Sequence, residues 1–459
     1  MSSYDVVVVG GGPSGLAAAA AASGNGLRVA LVDASAQVGG QYWRRPSDQV
    51  PGQHGTTFES LRRRLVDVDH YPEHQVWLLE PAPGDHRLHL APTHESVRTA
   101  APPVLRARSL ILCPGAYDRQ LPIPGWDLPG VMAAGGVQAL VKAHGSLPGR
   151  RAVVAGTGPF LLPVARQLAE AGAEVVAVCD ANSPVGWMRT PLGALAVPSK
   201  VGEAVSYAAS FARHRIPFRA RTVVAAIEGD EKVDSVRIRK VDRTGRGETL
   251  DGIDLVALGW GFTPSLELIL AAGAATRVDL DESLVAVVDA WQRTDVAGVY
   301  VAGEATGVGG ALLALAEGEI AGMAAAMDHG RTVDRRRAGR LQRQVRRGEP
   351  SRPPCIARTP CPQVGGTGSN RTPRCAGAKR SPSRTSATPA SPWGPSTHGP
   401  RSSWRARGWA GARAGCADSP RPNSPKENAW ASTISRRCPS GRSRRRCRWN
   451  ASRRTTSLG

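Results

Sequence analysis

The chain has 459 residues, of which 41% are apolar, 5% aromatic and 21% charged, a balance that supports two or three globular domains and excludes a wholly disordered chain or a collagen-like repeat. Its formal net charge of +21 suggests a nucleic-acid binder until it is divided along the chain: residues 1–350 carry 37 Lys and Arg against 36 Asp and Glu, whereas residues 351–459 carry 22 against 2. The charge belongs to the last quarter. No uninterrupted apolar run reaches the roughly 18 residues that a membrane span requires, and the passage from Met1 to Val6 lacks the basic flank of a signal peptide.

The run Tyr4 to Val9 is β-branched, as a buried parallel strand is, and leads directly into Gly10-Gly11-Gly12-Pro13-Ser14-Gly15. Leu16 and six alanines, Ala17 to Ala22, then favour helix. In such a strand, turn and helix, Gly10 permits the tight turn, Gly12 lets backbone approach a pyrophosphate, and Gly15 lets helix and strand pack closely, with the phosphate at the helix N-terminus. A second strand, Arg28 to Val32, ends in Asp33, 23 residues after Gly10, where a carboxylate can accept hydrogen bonds from a ribose diol. This context predicts a dinucleotide-binding unit.

A second copy follows. Ala152 to Ala155 leads into Gly156-Thr157-Gly158-Pro159-Phe160-Leu161, then a helix through Ala171 and a strand, Val175 to Val178, ending at Cys179-Asp180. Leu161 stands where the pattern has Gly or Ala, and a side chain there is expected to widen the spacing between helix and strand. The unit therefore reads as a site for NAD(P) or another adenine nucleotide, or as an unoccupied remnant; Asp180 without an adjacent Arg favours NAD over NADP.

Two such units on one chain suggest a flavoprotein. Leu110 to Ala116 reads as a buried strand ending in a glycine turn at Gly115, and Gly298 to Glu304 as another. The second continues through Gly307, Gly309 and Gly310 into an Ala/Leu-rich helix from about Ala311 to Met327, whose N-terminus can stabilise negative charge on a reduced flavin. Glu304 is expected to hydrogen-bond the ribityl chain or its first phosphate.

With these motifs the chain resembles the large flavoprotein subunits of the opine oxidase, hydrogen cyanide synthase and dye-linked proline or hydroxyproline dehydrogenase group. The resemblance rests on Gly39-Gly40-Gln41-Tyr42-Trp43-Arg44, Gly115-Ala116-Tyr117-Asp118-Arg119, the Pro124 to Met132 segment, Gly156 to Pro159, Gly259 to Pro264, and Gly303 to Gly307, and it covers residues 1 to about 348. It implies an α/β fold with two Rossmann-like dinucleotide-binding domains, the FAD domain (1–125 and 256–345) split by a NAD(P)-type domain (126–255), and a basic low-complexity tail over 346–459. It also implies FAD held by the Gly10 to Gly15 loop, Gly40 and Gln41 beside the flavin ring, and Gly115 and Gly303 closing the FAD domain. A smaller flavoprotein subunit would oxidise a small amine or imino acid and pass its electrons on.

The tail has four Ile, Leu or Val in all, no Phe or Tyr, and six of the eight cysteines, too little apolar area to offset chain entropy. The resembled family carries there a domain whose four cysteines bind a 2Fe-2S cluster. Reading the third base of each codon with the first two of the next, the genetic code permits Val-Cys-Arg-Cys-Glu across residues 374–379 and Leu-Gly-Arg-Cys-Gln-Gly-Arg-Val-Cys across 408–417. The tail thus reads as a frameshifted cluster domain, with 2Fe-2S implied only for the corrected frame. The alternatives are a disordered basic tail that binds nucleic acid electrostatically, or a metal module, against which the unpaired cysteine spacing argues.

Only Cys113 and Cys179 precede residue 351, and they stand 66 positions apart, so the paired thiols of a disulfide reductase are absent and two buried, inert cysteines are expected. His86 and His89, after a Pro/Gly turn, read as part of a solvated hairpin rather than a metal site. No signal sequence and no paired cysteines in residues 1–350 fit a reducing cytoplasm. The chain is thus expected to be an FAD-dependent oxidoreductase, the electron-relaying subunit of a heteromeric amine or amino-acid dehydrogenase or oxidase. The alternatives are a NAD(P)H:acceptor flavin reductase acting alone, or a defective chain whose tail binds nucleic acid. The catalytic base and the substrate are not legible.

Overall fold

The computed structural model describes residues 2–46, 54–95, 101–182, 198–242, 247–279 and 281–348; the expected cluster domain and basic tail lie outside them. In chain order the first half of the fold is β1 (Ser2–Val9), α1 (Pro13–Gly24), β2 (Val29–Val32), α2 (Gly55–Arg63), β3 (Val68–Tyr71), β4 (His74–Glu80), β5 (His86–Pro92), β6 (Val104–Leu112), β7 (Ala116–Asp118), β8 (Val131–Ala133), α3 (Ala134–His144), β9 (Arg151–Gly156), α4 (Leu161–Glu170) and β10 (Glu174–Asp180). There follow α5 (Pro198–Arg213), β11 (Phe218–Ala220), β12 (Thr222–Glu228), β13 (Ser235–Lys240), β14 (Glu248–Asp251), β15 (Leu255–Gly259), β16 (Phe262–Pro264), α6 (Glu267–Ala271), β17 (Thr276–Val278), β18 (Leu284–Ala286), β19 (Val299–Val301), α7 (Ala311–Asp328) and α8 (Arg335–Gly348).

The first sheet runs β3-β2-β1-β6-β5-β4, with β19 parallel to the C-terminal half of β6. Strands β3, β2, β1 and β6 are parallel, and β1 is clad on both faces. Val6 and Val8 pack with α1 and α7 in one cluster, while Tyr4, Val7 and Val9 pack with Leu266 and Ile269 in another. This two-sided burial explains why the Val6 to Val9 half of β1 is continuously apolar rather than alternating. The order reverses between β1 and β6, and a crevice outside the carboxyl ends of strands at such a reversal is where open α/β sheets bind ligands.

The second sheet runs β11-β10-β9-β15-β8, all parallel, and repeats the two-sided pattern in Val153 and Ala155 against Ala152 and Val154. An antiparallel sheet, β12-β13-β14, lies beside it, and the short β7 and β16 pair with each other. The expected boundary at residues 255 and 256 falls inside β15, which pairs with β9 as far as Gly259. Among the described residues no helix is long and apolar enough to cross a membrane.

The hairpin β4–β5 forms, but His86 is fully buried in it and not solvated. Burial depresses the His86 pKa, with nearby Asp85 opposing the shift, and its Nδ1 accepts the Ala82 amide at 3.3 Å. His89 is the outward member and pairs with Glu80 at 2.8 Å. The alternation was legible; which face the rest of the chain covers was not.

α1 and α7 touch backbone to backbone. A Cβ on Gly318 would overlap the Ser14 carbonyl oxygen, and one on Gly322 would meet the Ala18 carbonyl and, at 2.8 Å, the Ala21 Cβ. Glycine inside a helix costs about 1 kcal/mol relative to alanine, so close approach is the return for two of them. Gly318→Ala is expected to lower stability by about 1–3 kcal/mol, the range for overpacking, read as a fall in thermal midpoint. An unchanged midpoint would show that the two helices can separate freely.

Candidate functional site

The glycine loop after β1 is fixed by sterics. Gly10 has φ +101°, and a Cβ there would strike the Cys113 carbonyl; a Cβ on Gly15 would strike the Gly10 carbonyl. Gly12 is different, since a Cβ there meets nothing within 4 Å. It caps α1 with no side-chain hydrogen bond, and Pro13 follows at the first helical position, leaving the first-turn amides aimed at open space. Asp33 at the end of β2 accepts hydrogen bonds from the Gly11 and Ser35 amides and is buried.

Three other segments converge on this loop. The Gly39 amide donates to the Gly11 carbonyl at 2.7 Å, and a Cβ on Gly40 would lie 2.9 Å from the Gly12 Cα, with exposed Gln41 next in chain. Ser14 Oγ contacts Cys113 Sγ at 3.0 Å, and Gly115 (φ +80°) turns the chain from β6 into Ala116 of β7. Gly303 (φ +88°) stands against Ser14, where a Cβ would come within 2.9 Å of the Ser14 Cβ. Gly310 (φ +83°) caps α7 without a side-chain bond, and its amide donates to Glu304 Oε1 at 3.0 Å, closing the 303–310 loop. The N-termini of α1 and α7 thus open on the crevice between β1 and β6, a double positive pole suited to phosphate and to negative charge.

Glu317 is the residue that sequence reasoning missed. It is buried in α7, and its Oε2 accepts the Gly303 amide at 2.8 Å and the Thr306 hydroxyl at 2.9 Å. A carboxylate among the alanines and glycines of residues 311–327 was the available signal.

The second cradle follows the same plan with a substitution of packing. A Cβ on Gly156 would overlap the Gly259 carbonyl, and Gly158 (φ +89°) turns the loop ahead of Pro159. Leu161 opens α4 fully buried, and the space for it comes from Gly259, where a Cβ would lie 3.3 Å from Leu161 Cδ2. The glycine missing from the helix is matched by one on the neighbouring strand. Phe160 beside it stacks edge-on with Phe262 at 5.0 Å.

Asp180 lies beneath this loop, fully buried, accepting the Asn182 amide at 2.9 Å and the Gly158 amide at 3.4 Å. Its Oδ2 and the buried Thr157 Oγ1 have no hydrogen-bond partner among the described residues. Desolvation raises the Asp180 pKa to about 6, against the pull of the two amides. An orphaned acceptor buried beside a glycine loop fits the diol of a nucleotide ribose.

The two cysteines of the described residues, Cys113 and Cys179, are both buried. Burial raises the thiol pKa of both Cys113 and Cys179 to about 12, so neither ionises near neutrality.

Residues 4–330 match the family described as pyridine nucleotide-disulphide oxidoreductase, and the chain belongs to that family. It is an FAD-dependent oxidoreductase, and FAD and NAD(P) are its cofactors. An opine oxidase subunit of Agrobacterium tumefaciens (strain Ach5) is 33% identical over 338 residues, 71% of this chain and 66% of that protein, so the match spans slightly less than two thirds of the relative. Hydrogen cyanide synthase subunit HcnB of Pseudomonas protegens is 29% identical over 344 residues, 72% of this chain and 71% of that protein. Thioredoxin reductase of T. acidophilum shares the fold, with a TM-score of 0.54 and 22% identity over 72% of this chain and 99% of that one.

Two substitutions separate fold from binding. Gly12→Ala is expected to leave the thermal midpoint of the FAD-free chain unchanged while weakening FAD retention about tenfold or more, whereas Gly15→Ala should lower both; equal FAD content in Gly12→Ala and wild type would remove Gly12 from the cradle. Asp180 sets a pH dependence. Its carboxyl keeps its proton to about pH 6 in the folded chain, against about 4 when unfolded. The folded chain therefore loses stability as pH rises from about 4 to about 6, by up to about 3 kcal/mol, and does not regain it above. Asp180→Asn should be the more stable protein by about 2 kcal/mol near pH 7.5 and equal to wild type near pH 4, measured by denaturant unfolding.

Proposed function

We propose that this FAD-dependent oxidoreductase is the electron-relaying subunit of a heteromeric dehydrogenase or oxidase whose substrate is a small amine, amino acid or imino acid. The observation that carries the reading is the crevice between β1 and β6: it has the glycine cradle and paired helix N-termini of a flavin site, and the thiol nearest it, Cys113, is buried, bonded to Ser14 and held protonated. Electrons at such a site have no disulfide to enter among the described residues, so in this reading they leave through another protein or cofactor. The relatives are named as subunits of opine oxidase and of hydrogen cyanide synthase, which supports a partner that oxidises the substrate.

In this reading the FAD domain comprises residues 1–125 and the residues that follow β15 up to 345, with the second nucleotide domain, which keeps β15 as far as Gly259, between them. The amides at the start of α1 take the pyrophosphate beside Gly10, Gly12 and Gly15, Asp33 takes the adenosine ribose, and Glu304 and Gly310 hold the ribityl end of the cradle. Gly40, Gln41, Gly115 and Ala116 border the ring, and Glu317 fixes the Gly303 amide so that the loop before α7 keeps its shape. FAD, when bound, accepts a hydride or an electron pair and releases electrons singly. The α7 N-terminus favours the added negative charge. Gly156, Gly158 and Pro159 cradle the second nucleotide, with Asp180 toward its ribose, and NAD is preferred over NADP because no arginine adjoins Asp180.

The test begins with the flavin: FAD released on denaturation should be equimolar with the chain, and NADH under anaerobic conditions should bleach it faster than NADPH. Cys113→Ser and Cys179→Ser should each keep at least about half of that rate, since neither thiol takes part. A chain that carries no FAD, or one that loses flavin reduction with either cysteine, would defeat the reading. Bleaching by an amine or imino acid only when a substrate-oxidising subunit encoded beside this chain is added would establish the relay.

A further inference from the structure

The strongest unassigned feature is α8. Residues 331–348 hold eight arginines against one acid, Asp334, while residues 1–330 hold 29 Lys and Arg against 34 Asp and Glu. A helix bearing seven of these cations on an otherwise slightly acidic body is not a sample of the general surface. One side of it is committed inward: Ala338 and Val345 are buried and Leu341 is half-buried, against Leu313, Ile320 and Met323 of α7 and against Trp291. Opposite them, at i, i+4, i+7 and i+11, stand Arg336, Arg340, Arg343 and Arg347, all exposed. At 100° per residue these four fall within about 60° of arc and form a straight ridge about 16 Å long.

The ridge is costly to keep. Within α8, neighbours three and four apart are arginines or neutral residues, so like charges oppose one another along its length. Arg335, Arg336 and Arg337 crowd the positive end of the helix dipole. The compensation inside the chain is small. Asp334 receives the Arg336 and Arg337 amides at 2.9 and 3.0 Å, and Arg337 pairs with Glu319 of α7. None of the four ridge arginines forms an ion pair among the described residues, and the one carboxylate whose charge reaches the ridge, Asp334, is near Arg336 and Arg340 at its start. A complementary anion outside the chain would relieve this repulsion.

We propose that the outer face of α8 is the docking surface for the partner protein, and that the partner presents to it a helix with an acidic ridge at the same i, i+4, i+7, i+11 spacing. A second helix reproduces that spacing tooth for tooth, and arginine can pair bidentately with each carboxylate. The exposed face of α8 has no aromatic side chain on which a base could stack and no apolar side chain to enter a bilayer. Its position suits a relay: α8 runs along α7, Gln344 Nε2 donates to the Leu312 carbonyl at 3.3 Å in the first turn of α7, and a Cβ on Gly348 would lie 3.0 Å from Leu313. The end of the ridge is thus beside the helix terminus that opens on the flavin crevice. The proposal rests on the relay reading for the identity of the partner.

The test uses the full-length, FAD-loaded chain and four probes: a labelled 20-residue helical peptide with glutamates at i, i+4, i+7 and i+11, a peptide of the same composition with the glutamates scattered around the helix, a single-stranded 20-nucleotide DNA, and vesicles of anionic phospholipid. The ridge peptide should bind at least threefold more tightly than the scattered one. Charge reversal, R336E/R340E/R343E/R347E, should weaken it about tenfold or more with FAD content and thermal midpoint unchanged, and replacing all four by lysine should keep it within about threefold. If the quadruple reversal loses FAD, R340E/R343E should still weaken the peptide about threefold. Equal binding of the two peptides overturns the proposal. So does a reversal that leaves the affinity unchanged, which assigns the binding to the basic residues after 350. DNA or vesicles bound more tightly than the ridge peptide, and released by the reversal, would reassign the ridge to that polyanion. A chain without FAD, or with FAD that no substrate-oxidising subunit reduces, would remove the relay reading and leave the peptide result standing.

Discussion

The contact between α1 and α7 is what the rest of the first half of the molecule depends on. Two glycines, Gly318 and Gly322, let α7 settle on the backbone of α1 at Ser14 and Ala18, and the six buried alanines of α1 let the sheet come as close on the other side. Because the helices meet at that distance, Gly303 lies against Ser14 and Glu317 reaches the Gly303 amide. The two helix N-termini then share one crevice. A larger side chain anywhere along the seam would move one terminus relative to the other by a fraction of an ångström to an ångström, which is the scale on which hydrogen-bond donors stop reaching a phosphate. Packing here determines the geometry of the binding site.

The two cradles reach similar shapes by different means. In the first, the third position is constrained locally, since Gly15 faces Gly10 within the same loop, although Gly10 itself is held by the distant Cys113 carbonyl; the motif can therefore be read from a few consecutive residues. In the second, Leu161 occupies the third position and its room is provided by Gly259, nearly a hundred residues further on. The expected widening of the helix-to-strand spacing is thereby absorbed at the adjoining strand. Desolvation and spare hydrogen-bonding capacity also distinguish the second site, where Asp180 is buried with one oxygen unpartnered.

What could be read in the sequence follows the same division. Strands and helices of both units, the glycine turns and the burial of both cysteines were legible because each follows from neighbours in the chain: β-branched runs, alanine runs, positive φ. The face of the β4–β5 hairpin that is covered was not, because His86 and His89 alternate in the same way whichever side meets the core. Glu317 was overlooked for a related reason. A carboxylate in a helix, two residues from the half-buried Glu319 that pairs with Arg337, reads as a solvent-facing residue until the loop that it holds is brought against it by the fold.

The same fold serves disulfide reduction in other proteins, and here the chemistry is decided by what reaches the crevice. Cys113 lies directly below the first glycine loop, close enough to contact Ser14, and is nevertheless excluded from reaction because burial keeps its proton on. A thiol at this position fills space between β6 and α1, as a small apolar side chain would. With the thiol silent, the crevice retains the elements that bind and polarise, namely the glycine loops, the helix termini and the carboxylates that shape them. A site of this kind suits the proposed relay, in which electrons pass on to a second redox centre instead of being stored in a protein bond. In a chain whose first 330 residues are slightly acidic, the natural place for a partner to bring that centre is the strongly basic helix that leans on α7.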